Sequence, residues 1–153
     1  MEFELSFKPL IHRSEDYQNS QLGRNIMAYT YGDFPNLAEA DLVIFSVPEF
    51  RGTSHNSKAD SLEKIRRELY KLFEGQERLR IADLGQLILG EKNNDTYQLL
   101  TDVLVECELR NLFALIIGGG QDLTLSQYRS CVQLGKLSNM VSFDSRFDFG
   151  KDD

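Results

Sequence analysis

The chain has 153 residues, of which 41% are hydrophobic and 27% are charged, as in ordinary globular proteins. Its 17 lysines and arginines against 24 aspartates and glutamates give a formal net charge of −7. Nucleic acids and anionic membranes attract basic surfaces, so neither is predicted as a partner. The length fits one domain, and no apolar run suits a membrane span or a secretory signal. We therefore expect a cytoplasmic protein.

The first 37 residues predict an irregular lead-in to this domain. Phe3, Leu5 and Phe7 alternate with polar residues, which is the period of a half-exposed edge strand. Residues 13–36 are rich in Asn, Gln, Ser and Tyr and predict a long loop. We expect residues 1–153 to form one unit in which regular structure occupies residues 38–150.

Within residues 38–150, apolar strands alternate with amphipathic helices. Strands are predicted at 42–47, 78–85, 113–117 and 139–143, and those at 42–47 and 113–117 are apolar enough to be buried. Three helices lie between them, with inward faces formed by Leu62, Ile65, Leu69, Leu72 and Phe73, by Leu100, Val103, Leu104 and Cys107, and by Leu125, Tyr128 and Val132. This order predicts a three-layer α/β/α fold with a mainly parallel sheet and helices on both of its faces.

The two cysteines, Cys107 and Cys131, lie in separate helical patterns among apolar neighbours. Neither belongs to a C-x-x-C pair. We predict that both are small buried side chains in a reducing compartment.

The chain ends soon after the predicted strand at 139–143, and no helix follows to cover that strand. This arrangement predicts a fold cut at about half its length. The alternative is that the last strand lies at the edge of a complete sheet. An incomplete sheet would expose apolar surface, so we expect a homo-oligomer.

The strand at 113–117 runs into Gly118, Gly119 and Gly120, which are followed by Gln121 and Asp122. In a parallel α/β sheet, ligands bind outside the carboxyl ends of the strands, where glycines allow sharp turns and close approach. The spacing matches neither a dinucleotide fingerprint nor a P-loop. A tight strand-to-helix turn capped by Asp122 is the simpler interpretation. An anion held by the backbone N–H groups of the turn is a further alternative.

A second polar group follows the last predicted strand. Asp144 and Asp148, in the segment FDSRFD, place two carboxylates within five residues of each other. Carboxylates at such a strand end suit Mg²⁺ or Mn²⁺. The alternative is an ion pair with Arg146, which lies between them.

The order of these two segments resembles the arginase or ureohydrolase superfamily, particularly its formimidoylglutamase branch. IIGGGQDLTLSQYR and VSFDSRFDFG are similar to the family's Gly-Gly-(Gly or Asp)-His turn and its Asp-x-His-x-Asp motif. Upstream, ADLVIFSVPEFRG, KIRREL and IADLGQ resemble more loosely a strand and loop, the following helix, and an Asp-x-Gly-Asp strand end. The resemblance covers roughly residues 38–150 and implies an arginase-like domain of about twice this length.

The resemblance implies a site with two Mn²⁺ ions that activates a hydroxide to hydrolyse the C–N bond of a linear amidine or guanidine. Its ligand positions here are Asp144 and Asp148, which match, and Gln121 and Arg146, where the family has histidines. A glutamine carbonyl is a weak ligand for such metals, and a guanidinium has no lone pair and repels a dication. We therefore expect Arg146 to neutralise both aspartates in place of manganese, with Mn²⁺ bound weakly or not at all and catalysis impaired or lost.

Arg51 and His55 follow the strand at 42–47 and are candidates for the substrate rim of the same cleft. For Arg51 the alternative is an ordinary surface pair with Glu49, and for His55 a solvated loop residue. His12 lies near the amino terminus, and neither histidine has the spacing needed to replace the missing ligands. Two functions stay open: an impaired hydrolase, and a non-catalytic relative that binds an amidine-type small molecule or serves as a scaffold.

Overall fold

The structure is a computed structural model that describes residues 3–52, 60–75, 79–136, 139–141 and 143. Within these residues one sheet contains the strands β1 (Phe7–Lys8), β2 (Met27–Ala28), β3 (Leu42–Ser46), β4 (Ile81–Leu87) and β5 (Phe113–Ile117). The helices are α1 (Leu22–Asn25), α2 (Asp60–Tyr70), α3 (Asn93–Leu109) and α4 (Thr124–Gln133). None of the helices in these ranges is long and apolar enough to cross a membrane. A cytoplasmic location stays a prediction.

The sheet is mainly parallel, as the alternation of strands and helices predicts. β3 lies between β4 and β5 and is parallel to both, with Val43 opposite Ala82 on one side and Ala114 on the other. On the far edge of β4, β2 pairs in parallel and β1 pairs antiparallel. The three-layer α/β/α class is confirmed.

The alternating side chains of β3 divide the core between two helical layers. Ile44 packs with Leu62 and Tyr70 of α2 on one face of the sheet. Val43 and Phe45 belong to the larger cluster on the other face, which contains the buried side of α3. Because both faces are covered, residues 43–46 of β3 are almost fully buried, as a continuous apolar run in a parallel sheet predicts.

The predicted inward face is confirmed for α3, where all four residues are buried. It is wrong for α4, where Leu125, Tyr128 and Val132 are exposed. The buried positions of this segment are Leu123, Ser126 and Ser130. The Ser126 hydroxyl donates to the Tyr97 carbonyl oxygen of α3 at 3.0 Å, and small side chains let the two helices approach closely. Close packing against α3 therefore decides which face of α4 is buried, and the apolar residues of α4 lie on the exposed face.

The inward face of α2 also differs from the prediction. Leu62 is buried, but Ile65, Leu72 and Phe73 are exposed. The other buried residues of α2 are Arg66 and Tyr70, which lie four and eight residues after Leu62, at helical spacing. Both bond the buried Asp83 carboxylate of β4, so a polar partner inside the sheet selects the face that α2 turns inward.

Three strand predictions are wrong or only partly right. Residues 3–6 form a 3-10 helix, and only Phe7 and Lys8 pair as a strand. Strand β5 forms as predicted but is not fully buried, since Phe113 is 69% exposed. Residues 139–141 and 143 form no strand in the structure and are exposed.

The prediction for the cysteines holds for one of them. Cys107 is buried in α3, and burial raises the pKa of its thiol to about 12. Cys131 is only half-buried on α4. Both lie within the described residues, and neither forms a disulfide.

Candidate functional site

The candidate site lies where two neighbouring parallel strands send their connections to opposite faces of the sheet. The loop after β3 leads to α2 on one face, and the loop after β5 leads to α4, which packs beside α3 on the other. Such a switch point opens a crevice at the carboxyl edge of the sheet. The loops at 47–52, 88–92 and 118–123 surround this crevice.

The glycine turn has a geometry that other residues would not adopt without strain. Gly118 and Gly119 have φ angles of +84° and +85°, in the left-handed region. A Cβ on Gly119 would collide with the Leu123 side chain and lie 3.0 Å from the Val47 carbonyl oxygen. The Gly120 N–H donates to the Glu49 carbonyl oxygen at 3.0 Å. The turn is thus fixed against the loop that follows β3.

Gln121 is exposed at the start of a 3-10 turn, Gln121–Leu123, that leads into α4. This is the tip position that the sequence predicts for it. Asp122 is directed back toward the protein: the Tyr97 hydroxyl donates to Oδ2 of Asp122, and this hydrogen bond raises the Tyr97 pKa. The Cα of Gly52 lies so close to that carboxylate that a Cβ there would collide with Oδ2. The other carboxylate oxygen, Oδ1, is buried and has no hydrogen-bond partner among the residues that the structure describes.

Arg51, a predicted rim residue, lies against Glu49. Its Nε donates to Oε1 at 2.9 Å and its Nη2 to Oε2 at 2.5 Å. The same guanidinium donates to the Gly90 carbonyl oxygen at 3.1 Å and to the Glu91 carbonyl oxygen at 2.6 Å. Glu49 is fully buried, so this is not an ordinary surface pair. Hydrogen bonds from Arg51 lower the Glu49 pKa and raise the pKa of Arg51.

Thr96 and Tyr97, at the start of α3, are parts of this edge that the sequence did not indicate. Thr96 is fully buried, and its Oγ1 accepts from Arg51 Nη2 at 3.2 Å and from the Gly90 N–H at 3.0 Å. Both residues join loops that are distant in sequence. The available signal was only a threonine and a tyrosine near the polar start of the helix, and a local sequence pattern does not indicate their partners.

Four of the predicted site residues lie outside the residues that the structure describes. They are His55 in the loop after β3, and Asp144, Arg146 and Asp148 of the second motif. Their proximity to the glycine turn stays a prediction. Gly119, Gly120, Gln121, Asp122 and Arg51 are described, and all five lie in the loops around the crevice.

The residue types at the four implied ligand positions do not form a typical manganese donor set. Gln121 offers an amide oxygen, and Arg146 offers a cation with no lone pair. Within the described ranges, no group of three or more His, Cys, Asp or Glu side chains is placed to hold a metal. Asp83, in the segment resembling an Asp-x-Gly-Asp strand end, lies within β4 and is held by Arg66 and Tyr70 of α2.

No protein-family model matches this chain, and no curated protein matches it. Solved structures do. A formiminoglutamase from Trypanosoma cruzi with Mn²⁺ superposes with a TM-score of 0.59 over 74% of this chain and 40% of its own, at 20% identity. An arginase superfamily protein from Trypanosoma cruzi has a TM-score of 0.53 at 22% identity, over 66% of this chain and 41% of its own. These similarities show an arginase-like fold, and this chain spans about 40% of the length of the structures it matches.

Proposed function

We propose that this chain is a ureohydrolase-type domain, similar to formimidoylglutamase, in which metal-dependent C–N hydrolysis is lost. The observation that carries the proposal is Gln121 at the tip of the glycine turn, where the family motif has a histidine. The arginase-like fold supports the relationship, and the solved formiminoglutamase is described with Mn²⁺. The difference at residue 121 therefore falls on a position that the family motif uses to bind manganese.

The second difference has a stronger physical effect than the first. Arg146 carries a permanent positive charge between Asp144 and Asp148. A guanidinium satisfies carboxylates through charge-assisted hydrogen bonds, and it repels a dication. Arg146 thus neutralises the two aspartates, a role that manganese has in the metal-binding members of the family. This donor set does not fit a pair of manganese ions, so the chain lacks the groups that metal-dependent hydrolysis needs.

The crevice retains features that suit a cationic ligand. The Asp122 carboxylate lies at this edge, and its buried Oδ1 accepts no hydrogen bond from the residues that the structure describes. An amidinium or guanidinium is planar and presents parallel N–H donors that match a carboxylate. We propose that the site binds a small amidine or guanidine and does not hydrolyse it.

The test combines a turnover assay with a binding measurement. The chain is incubated with formimidoylglutamate or arginine, with and without Mn²⁺, and binding of each compound is measured by calorimetry. We expect binding without turnover, and weaker binding in Asp122→Asn. Metal-dependent turnover by the unmodified chain contradicts the loss of hydrolysis. Binding that Asp122→Asn leaves unchanged contradicts the role of that carboxylate.

A scaffolding role is the second candidate, and the exposed face of α4 favours it. Leu125, Tyr128 and Val132 lie at helical spacing on the outside of this helix. We propose that this face contributes to self-association. Light scattering during gel filtration should show a homo-oligomer that Leu125→Lys dissociates. A monomer at all concentrations excludes this role.

A further inference from the structure

A second cavity lies between residues 8–17 and α2. Its volume is about 710 Å³. None of the residues that line it belongs to the loops at 47–52, 88–92 or 118–123. It is therefore separate from the crevice described above, and nothing in the proposed function uses it.

The lining of this cavity is basic, although the chain is acidic. Five cationic side chains and two carboxylates line it, in a chain of net charge −7. The cations are Lys8, Arg13, Arg66, Arg67 and Lys71. A local excess of positive charge in a concave site favours an anionic ligand.

Two of these cations are already neutralised by the protein. Arg66 donates from Nε to the buried Asp83 carboxylate at 2.8 Å and from Nη1 to Glu63 at 2.5 Å. Burial raises the Asp83 pKa, while Arg66, the Tyr70 hydroxyl and the Gly85 N–H oppose that rise. Lys71 pairs with Glu68 at the surface. The charge of Arg66 is thus structural, and it fixes one wall of the cavity.

The other three cations have no such partner. In the described ranges, the side chains of Lys8, Arg13 and Arg67 make no hydrogen bond or ion pair, and only the Asp16 carboxylate remains to offset them. The cavity therefore keeps an uncompensated positive charge. Arg13 and Arg67 come from opposite walls, one from the loop and one from α2.

Aromatic rings form the part of the wall beside these cations. The His12 ring stacks on Tyr17 at 5.7 Å between centroids, and its edge contacts Tyr70 at 5.2 Å. The Nε2 atom of His12 is buried and has no hydrogen-bond partner among the described residues. Desolvation lowers the His12 pKa. The sequence gives no local pattern for these ring contacts, because the two tyrosines lie five and 58 positions away from His12.

We propose that this cavity binds a small organic anion, in which a phosphate or carboxylate is attached to a planar ring. Lys8, Arg13 and Arg67 hold the oxyanion, because guanidinium groups match its geometry with paired donors. The ring contacts Tyr17 and the apolar wall formed by Pro9 and Leu10. The cavity is much larger than an inorganic anion needs, so the ring accounts for the remaining volume.

The test uses three probes with the same ring and different charge. Calorimetry in phosphate-free buffer measures binding of phenyl phosphate, phenylacetate and benzyl alcohol. We expect the two anions to compete for one site and the neutral alcohol not to bind. The tighter of the two anions identifies the oxyanion that the site prefers. Inorganic phosphate that binds as tightly as phenyl phosphate would contradict the contribution of the ring.

Matched variants locate the site. Arg67→Gln and Arg13→Gln should each weaken anion binding about tenfold or more, because each loses a charge-assisted contact. Lys64→Gln makes the same change of charge on the exposed side of α2, away from the cavity, and should leave binding unchanged. An equal effect of Lys64→Gln would show a general charge effect and overturn the proposal.

A spectroscopic measurement is independent of these variants. The chain has two histidines, so imidazole ¹⁵N spectra contain two sets of signals, which His55→Gln assigns. Phenyl phosphate should shift the His12 signals and leave those of His55 in place. Absence of binding by both anions at about 10 mM, or a shift confined to His55, overturns the proposal.

Discussion

At the scale of single residues, the carboxyl edge of the sheet depends on a few buried polar contacts. Arg51 bonds Glu49, Thr96 and the carbonyl oxygens at 90 and 91, so one guanidinium joins the loop after β3 to the loop after β4. The Gly120 N–H and the Tyr97 hydroxyl join the glycine turn to the same edge. These contacts fix the crevice before any ligand binds.

The Glu49 side chain should contribute measurably to stability. Glu49→Gln removes a buried carboxylate from its Arg51 donors and should lower the free energy of unfolding by about 1–3 kcal/mol at pH 7. Urea unfolding measures the change. The control, Glu68→Gln, removes an exposed partner of Lys71 and should cost less than about 1 kcal/mol. Equal effects would mean that the buried Glu49–Arg51 pair contributes no more to stability than the exposed Glu68–Lys71 pair.

The same pair predicts a pH dependence. The folded-state pKa of Glu49 is lowered, first by the hydrogen bond from Arg51, so its stabilisation is present above the ordinary pKa of 4.5. It is lost as the pH falls below that value and through the folded-state pKa. The stability difference between the parent chain and Glu49→Gln should therefore shrink on acidification below pH 4.5. A difference that grows on acidification would contradict this sign.

The glycine turn should tolerate no side chain at residue 119. Gly119→Ala adds a Cβ at positive φ that collides with Leu123, and it should cost about 2–4 kcal/mol. Gly135→Ala is the control, because its φ is also positive but nothing lies within 4 Å of the added Cβ. In that variant the free energy of unfolding should fall by only about 1–2 kcal/mol, which is the cost of a Cβ at positive φ without a collision. Similar losses in thermal or urea unfolding would show that space at residue 119 does not matter.

At the scale of elements, the sequence predicts where helices and strands lie better than which face they bury. The stripe of α3 is confirmed because its partners are apolar core residues, so burial follows the apolar pattern. The predicted face of α4 is wrong, and that of α2 holds only for Leu62 and Leu69, because Arg66, Tyr70, Ser126 and Ser130 take the other buried positions. Their partners, such as Asp83 and the Tyr97 carbonyl oxygen, lie on other elements, and a local pattern cannot indicate them.

The buried face of the α4 segment can be tested directly. Leu123→Ala empties a buried position and should lower the free energy of unfolding by about 2–4 kcal/mol. Leu125→Ala shortens an exposed leucine on the outer face and should change it by less than about 1 kcal/mol. Chemical denaturation of both variants at low protein concentration gives the comparison. The reverse order would restore the face that the sequence pattern predicts.

At the scale of the whole molecule, the arginase-like fold could be predicted from two short segments, although sequence identity to the matched structures is only 20–22%. Gly118 and Gly119 carry that prediction because their positive φ angles limit which residues fit. The arrangement of the crevice could not be predicted in the same way. Tyr97 reaches it through a contact with Asp122, and Arg51 through contacts with the carbonyl oxygens at 90 and 91, which are all distant in sequence.

The central claim is that Gln121 and Arg146 remove manganese binding from the site. Elemental analysis after incubation with excess Mn²⁺ and gel filtration measures it most directly, with the Gln121→His and Arg146→His double variant as the comparison. We expect the unmodified chain to retain less than one ion per chain and the double variant to retain more. Two Mn²⁺ ions retained per unmodified chain would contradict the claim.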